Sequence, residues 1–462
     1  MPKQIRLNAF DMNCVGHIQH GMWTHPRDRS VNYNTLEYWQ NLARVAERGL
    51  FDGIFLADIV GVYDVYKDSP APSIVNAAQI PVNDPMLLVP AMAAVTTHLG
   101  FGVTANLTYE PPYLFARRAS TLDHLTNGRF GWNIVTGYLD SAARGMGLPV
   151  QHDHDFRYDL ADEYMEVVYK LWEGSWEDGA VLRDKQNGVF ADPAKVHRVT
   201  HEGKHFKLDA IHLSEPSPQR TPVLYQAGSS PRGREFAATH AEAVFINGPD
   251  ARAIREIVAD IRRRTAARGR NPADMVILLS RTAVVGRTRK EAQEKYEEYH
   301  KHASVEAALA HFASSSGIDL SRYELDEPIR YEQTRAMNSA VDAVTRQAAE
   351  PWTLRRLIAQ MGLGSRVAPI IGSAEEVADA LIQLVEDTDI DGYNLSRTVT
   401  PESLEDFVDL VVPVLQERGA FKRRYESGPL RQKLFGAPRL PDTHPAALYR
   451  RGAGARRQTA AQ

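Results

Sequence analysis

Short apolar runs alternate with amphipathic stretches from the start of the chain to about residue 290, and this switching between a two-residue and a 3.6-residue period is the mark of βα units around a parallel sheet. Strands are predicted at 5–9, 53–57, 100–106, 130–136, 222–226, 243–247 and 276–285, with an eighth at 392–395. Eight strands that each lead into a helix predict an α/β fold of the TIM (β/α)8 type rather than an open doubly wound sheet.

Helix punctuation supports that reading. Asn34 is placed to cap a helix with Glu37 at its third position and Leu36, Trp39 and Leu42 on one face, closing at Gly49. The stretch 158–172 sets Leu160, Tyr164, Val168 and Leu171 on one stripe, Ser373 and Glu376 form a capping box, and Thr400–Pro401 opens a helix running to Gly419. Insertions at 60–84, 137–157, 173–220 and 300–365 break the rhythm, and loops that follow barrel strands roof an active site. With no internal repeat or linker, one domain over 1–435 and a tail at 436–462 are expected.

Composition narrows the function. The 462 residues, 43% hydrophobic, can build a large core. The 54 basic and 58 acidic side chains are interspersed until Arg450, Arg451, Arg456 and Arg457, a pattern that excludes a nucleic-acid stripe and reads as a frayed end. No window reaches the ~18 apolar residues of a membrane span, and the opening lacks a signal-peptide core. A lone Cys14 can form neither an intrachain disulfide nor a structural zinc site, so the reducing cytoplasm is the expected compartment.

Chemistry concentrates at strand ends. In VLYQAGSSPRG, 223–233, an extended run meets a turn with Ser229, Ser230 and Arg232 just before a helix, where amides, hydroxyls and a guanidinium can hold a phosphate. An ordinary serine-capped helix start accounts for the same residues equally well. His154 and Tyr158, four apart at another helix start with Arg157 between them, can converge on the same anion. Asp58, Thr104, Asn133 and Thr136 put polar groups at the ends of strands two, three and four, suited to a heteroaromatic ring or to neighbouring backbone. His17 and His20 follow strand one, where His17 can meet substrate, although a loop histidine is more often solvated. Adjacent ligand types such as HDHD at 152–155 seldom share an ion, so no metal is expected. No GxSxG elbow is present, and GLGSRV at 362–367 fails the dinucleotide fingerprint, so the phosphate site fits a mononucleotide.

Longer segments carry a resemblance. ERGLFDGIFLAD at 47–58, STLDHLTNGRFGWNIVT at 120–136, HDFRYDLADEYMEVVYKLWEGSWEDGA at 154–180, FADPAKVH at 190–197, QAGSSPRGREFAA at 226–238, DGYNL at 391–395 and FVDLVVPVLQERG at 407–419 resemble the bacterial luciferase-like flavin monooxygenases. Within them the chain is similar to the nitrilotriacetate, EDTA, dibenzothiophene sulfone and dimethyl sulfide branch. NAFDMNC at 8–14, VGVYDVY at 60–66 and THPAALYR at 443–450 look nearest its dimethyl sulfide end, and similar residues occur in riboflavin-degrading members. Ser315 stands where the sulfone-oxidising members carry a histidine, which speaks against a bulky aromatic sulfone.

The resemblance implies a TIM barrel that takes reduced FMN from a separate NAD(P)H-dependent flavin reductase and uses dioxygen to oxygenate a small organic, preferably organosulfur, substrate. By position, Asp58, Thr104, Asn133 and Thr136 would line the isoalloxazine and ribityl parts, and His154, Tyr158, Ser229 and Ser230 would hold the phosphate. His17 would face substrate, the inserted loops would form a lid, and the assembly would be a homodimer or homotetramer. Oxygenation of riboflavin or an aminopolycarboxylate, deazaflavin-dependent hydride transfer, and flavin binding without turnover are the competing readings.

Overall fold

The computed structural model describes residues 2–228, 230–346, 348, 350–363 and 367–452; Ser229 and positions 364–366 of the GLGSRV run lie outside them. Eight parallel strands close on themselves: β1 (Arg6–Met12), β2 (Gly53–Ala57), β3 (Gly100–Asn106), β4 (Phe130–Val135), β5 (Val223–Gln226), β6 (Ala243–Ile246), β7 (Val276–Gly286) and β8 (Gly392–Ser396). Neighbours pair in sequence order, and β8 returns to β1 with Arg6 opposite Gly392. The TIM barrel is the observed fold.

Side-chain size explains how the interior closes. Phe10, Phe55, Tyr225 and Phe245 come from β1, β2, β5 and β6, with ring centroids 5.2–6.0 Å apart. Gly131 and Gly102 make room for them, since a Cβ would lie 2.6 Å from the Tyr225 ring at the first and 2.9 Å from Phe55 at the second. Large and small residues thus share the layer, as a filled barrel requires. Outside, apolar faces of the helices bury Trp39, Val168, Leu381 and Leu415 against the strands, each worth about 1.5–3 kcal/mol on full burial.

Helix α1 (Leu36–Arg48) is capped by Thr35, whose hydroxyl accepts from the Tyr38 amide, so the cap lies one residue after the expected Asn34. Gly49 keeps φ at −79°; what it supplies is space, because a Cβ would sit 2.4 Å from Val408. The capping box of Ser373 and Glu376 is present.

The insertions divide by whether they reach the C-terminal rim, and not by what precedes them, since 300–365 too follows a helix, Arg289–His300. Segments 60–84, 137–157 and 300–365 supply residues to a cavity at the C-terminal rim, whereas 173–220 supplies none. That segment follows helix α2 (His154–Gly174) rather than a strand, and it folds into two small hairpins. Segment 300–365 owns a separate apolar core of Leu309, Phe312, Ile329, Val341, Leu354 and Leu357, against which Val65 and Tyr66 pack.

Residues 436–452 are packed, which corrects the frayed-end reading for this part of the tail. Leu440, Ala446 and Ala447 are buried, His444 Nε2 donates to the His240 carbonyl at 2.9 Å, and Arg450 reaches buried Glu173 at 3.1 Å. Arg450 is therefore a counter-ion. Among the described residues, no helix is long and apolar enough to cross a membrane.

Candidate active site

The rim cavity has a volume of about 1510 Å³. One end is built by two helix starts. Chain leaving β5 turns at Gly228 into helix α3 (Pro231–His240), where Ser230 is the cap and accepts from the Gly233 amide at 3.0 Å. From α2, His154 Nε2 lies 3.1 Å from Ser230 Oγ, and its Nδ1 donates to Asp155 at 2.8 Å. Tyr158 comes one turn later, its ring 5.1 Å from that of His154. Burial pushes the Tyr158 phenol up, so it stays a neutral donor at ordinary pH.

Close approach defines this cradle. A Cβ on Gly228 would lie 2.8 Å from Tyr158 Oη, and one on Gly233 would lie 2.7 Å from it and 3.0 Å from Gly228 Cα. His154, Tyr158 and Ser230 therefore meet around one point. Arg157 does not join them: its guanidinium donates to the carbonyls of His152 and Arg335, tying the helix start to segment 300–365. Arg232 sits over the Tyr158 ring at 5.5 Å and pairs with Asp162 at 2.5 Å. Of the HDHD residues, Asp153 pairs with Arg335, His154 bridges Asp155 and Ser230, and His152 packs against Phe156.

Strand ends form the next wall. Asn133 Nδ2 donates to Thr104 Oγ1 at 2.8 Å, while its buried Oδ1 has no partner. Thr136, the last residue of the predicted strand 130–136, lies one residue past the observed β4 and lines the cavity. Asp58 follows β2. Burial, with the Asp84 charge second and against an amide bond from Ile59, raises its carboxyl to about 8. A raised acid holds more protons folded than unfolded, so its contribution to stability falls as pH climbs from about 4 to about 8. Asp58→Asn is expected to flatten that part of the pH–melting profile; an unchanged slope would place the titration elsewhere.

His17 also lines the cavity, buried rather than solvated, with its ring 4.7 Å from Phe10 and its Nδ1 unpartnered. Burial, then Arg397 and His20, hold it well below the usual imidazole range. It is a neutral donor or acceptor, not a standing cation. Beside it is a polar cluster that the sequence reading missed. Tyr63 Oη donates to Gln79 at 2.7 Å and lies 3.2 Å from Tyr138 Oη; His311 stacks on Tyr63 at 4.9 Å, with its Nδ1 3.0 Å from His20 Nε2. Three inserted segments supply these groups. The available signal was a histidine amid alanines and a phenylalanine in the helix Val305–Ser316.

The sequence profile of the luciferase-like monooxygenase family matches residues 13–391. The chain is 48% identical over 453 residues to dimethyl-sulfide monooxygenase of Hyphomicrobium sulfonivorans, covering 97% of this chain and 94% of that one. It is 48% identical over 452 residues to long-chain alkane monooxygenase of Geobacillus thermodenitrificans, covering 97% and 99%. A riboflavin lyase solved with modified FMN and riboflavin superposes with a TM-score of 0.92 at 39% identity, covering 97% and 100%. With a closed eight-strand barrel, a polar rim cavity and relatives matched along nearly their whole length, this chain belongs to the luciferase-like monooxygenase family and is a flavin-dependent oxygenating enzyme.

Proposed function

We propose that the chain is the oxygenase half of a two-component system, taking reduced FMN from a separate NAD(P)H-dependent flavin reductase and oxygenating a small organosulfur compound of the dimethyl sulfide kind. The observation that carries it is the convergence of His154, Tyr158 and Ser230 on one point of a roofed cavity. The residues present fit FMN. A neutral phenol, a serine hydroxyl and an imidazole at a helix start suit its phosphate, and the buried, unpartnered Asn133 Oδ1 calls for an N–H from a ring edge. Ser229 stands beside Ser230 in sequence and is assigned to the same group.

Bound reduced FMN supplies the electrons with which dioxygen is activated. The protein's part is placement and exclusion. Thr104 fixes the Asn133 carboxamide, and Asp58, neutral below about 8, offers an O–H to a carbonyl acceptor. Tyr63, Gln79 and Tyr138 hold one another, and His20, kept neutral by burial, contacts His311 at 3.0 Å, which fixes both rings beside them. The separately packed 300–365 segment lines the cavity through His311 and residues 333–337, a position from which it would limit the access of bulk water.

Purified chain, flavin reductase, NADH, FMN and dimethyl sulfide are expected to consume dioxygen in proportion to substrate, with one atom of labelled dioxygen entering the product. A panel adding sulfones, aminopolycarboxylates, alkanes and riboflavin reads the range. Substrate conversion that proceeds without oxygen would instead establish hydride transfer.

A further inference from the structure

Among the described residues, most buried arginines are held by several acceptors. Arg129 donates to Thr96 and to the carbonyls of Ala93, Thr96, Leu99 and Thr126. Arg270 reaches three carbonyls, Arg397 pairs with Asp11, and Arg431 pairs with Glu242. Arg281 is 8% exposed, yet the structure gives it a single hydrogen bond, to the carbonyl of its own neighbour Ser280 at 2.9 Å, and no carboxylate partner among the described residues. It is the central residue of β7 and lines the rim cavity, as do Ser280, Thr282 and Asn247.

A guanidinium carries five N–H donors in a planar fork that matches carboxylate, sulfonate or phosphate oxygens two at a time. Leaving such a group buried without an opposite charge destabilises a fold, and replacement by an apolar residue of similar size is often neutral or stabilising. A position that keeps this cost and opens on a ligand cavity is explained by a ligand that removes it. Resting on the oxygenase reading above, we propose that Arg281 is the anchor for an anionic oxygen group of a cavity ligand. The organosulfur substrate is then an anionic thioether, one bearing a carboxylate or sulfonate beyond its sulfur, unless the group is the cofactor's own phosphate.

The test uses the full chain and needs no turnover, so a failure of oxygen uptake does not decide it. Calorimetry compares dimethyl sulfide with its carboxylated counterpart 3-(methylthio)propanoate on FMN-loaded protein, and FMN with riboflavin on unloaded protein, for the parent chain, Arg281→Lys and Arg281→Gln. A loss of about tenfold or more in 3-(methylthio)propanoate affinity in Arg281→Gln, partly restored in Arg281→Lys and absent for dimethyl sulfide, supports a substrate anchor. The same loss for FMN but not riboflavin supports an anchor for the phosphate. Changes under about twofold for both anions overturn the proposal. Melting of the unloaded protein is the second readout. Arg281→Met is expected to melt at the same or a higher temperature, and a clear drop would mean that the guanidinium serves the fold instead.

Discussion

Ser230→Asp is expected to weaken FMN binding by about 100-fold or more while leaving riboflavin binding within a few-fold. Ser230 has two jobs: its hydroxyl caps α3 through the Gly233 amide and it faces His154 Nε2 at 3.1 Å. Aspartate caps a helix as well as serine does, so the substitution preserves the first. What changes is a negative charge set against a phosphate in a partly desolvated cradle, where like charges at about 4 Å repel by about 4 kcal/mol at an effective dielectric of 20. Fluorescence titration with the two flavins reads the difference directly. Parent-like FMN affinity in a folded Ser230→Asp protein would move the phosphate away from the α2 and α3 starts and remove the basis of the site assignment. Ser230→Ala completes the series, since it loses both cap and hydroxyl without adding charge.

The second large effect lies at the other end of the barrel. Arg431 grips Glu242 through two contacts, Nε to Oε1 at 2.7 Å and Nη2 to Oε2 at 2.9 Å, and also donates to the carbonyls of Gln219 and Pro222. Both side chains are buried, and Glu242 Oε2 further accepts the Leu224 amide. Removing one partner strands a buried charge, so Glu242→Ala is expected to lower unfolding stability by about 3–5 kcal/mol. The double variant Glu242→Leu with Arg431→Met should recover much of that, because it removes both charges and leaves apolar volume. Urea unfolding of the two variants beside the parent checks this; an equal loss in both would mean that the packing of the 430s segment, not the ion pair, holds the barrel base.

Much of this was legible from sequence because barrel strands announce themselves. Each is a short, almost wholly apolar run with a polar residue where it emerges, so Thr104 and Asn133 could be placed before any coordinates. His154, Tyr158 and Ser230 were legible for a related reason, since helix starts have recognisable residues and a phosphate needs what a helix start offers. The Tyr63, Gln79, Tyr138 and His311 cluster was not. Its members come from insertions whose meeting depends on tertiary packing, and a histidine or tyrosine on such a segment looks like any core residue. The cap at Thr35 was misplaced by one because Asn34 also satisfied the spacing rule with Glu37. The packing of 436–452 escaped notice for a different reason: its anchors, His444 and Arg450, bond to a carbonyl and a buried carboxylate that no local pattern reveals.

The separate apolar core of segment 300–365 carries a consequence for how such an enzyme diversifies. Leu309, Phe312 and Leu357 belong to a core that shares no residue with the cradle made by α2 and α3, and the two are joined at the α2 start through Arg157 and Arg335. Discrimination between molecules that enter and competence to hold the flavin are thereby inherited on different pieces of chain, so selection can retune the first while the second stays intact.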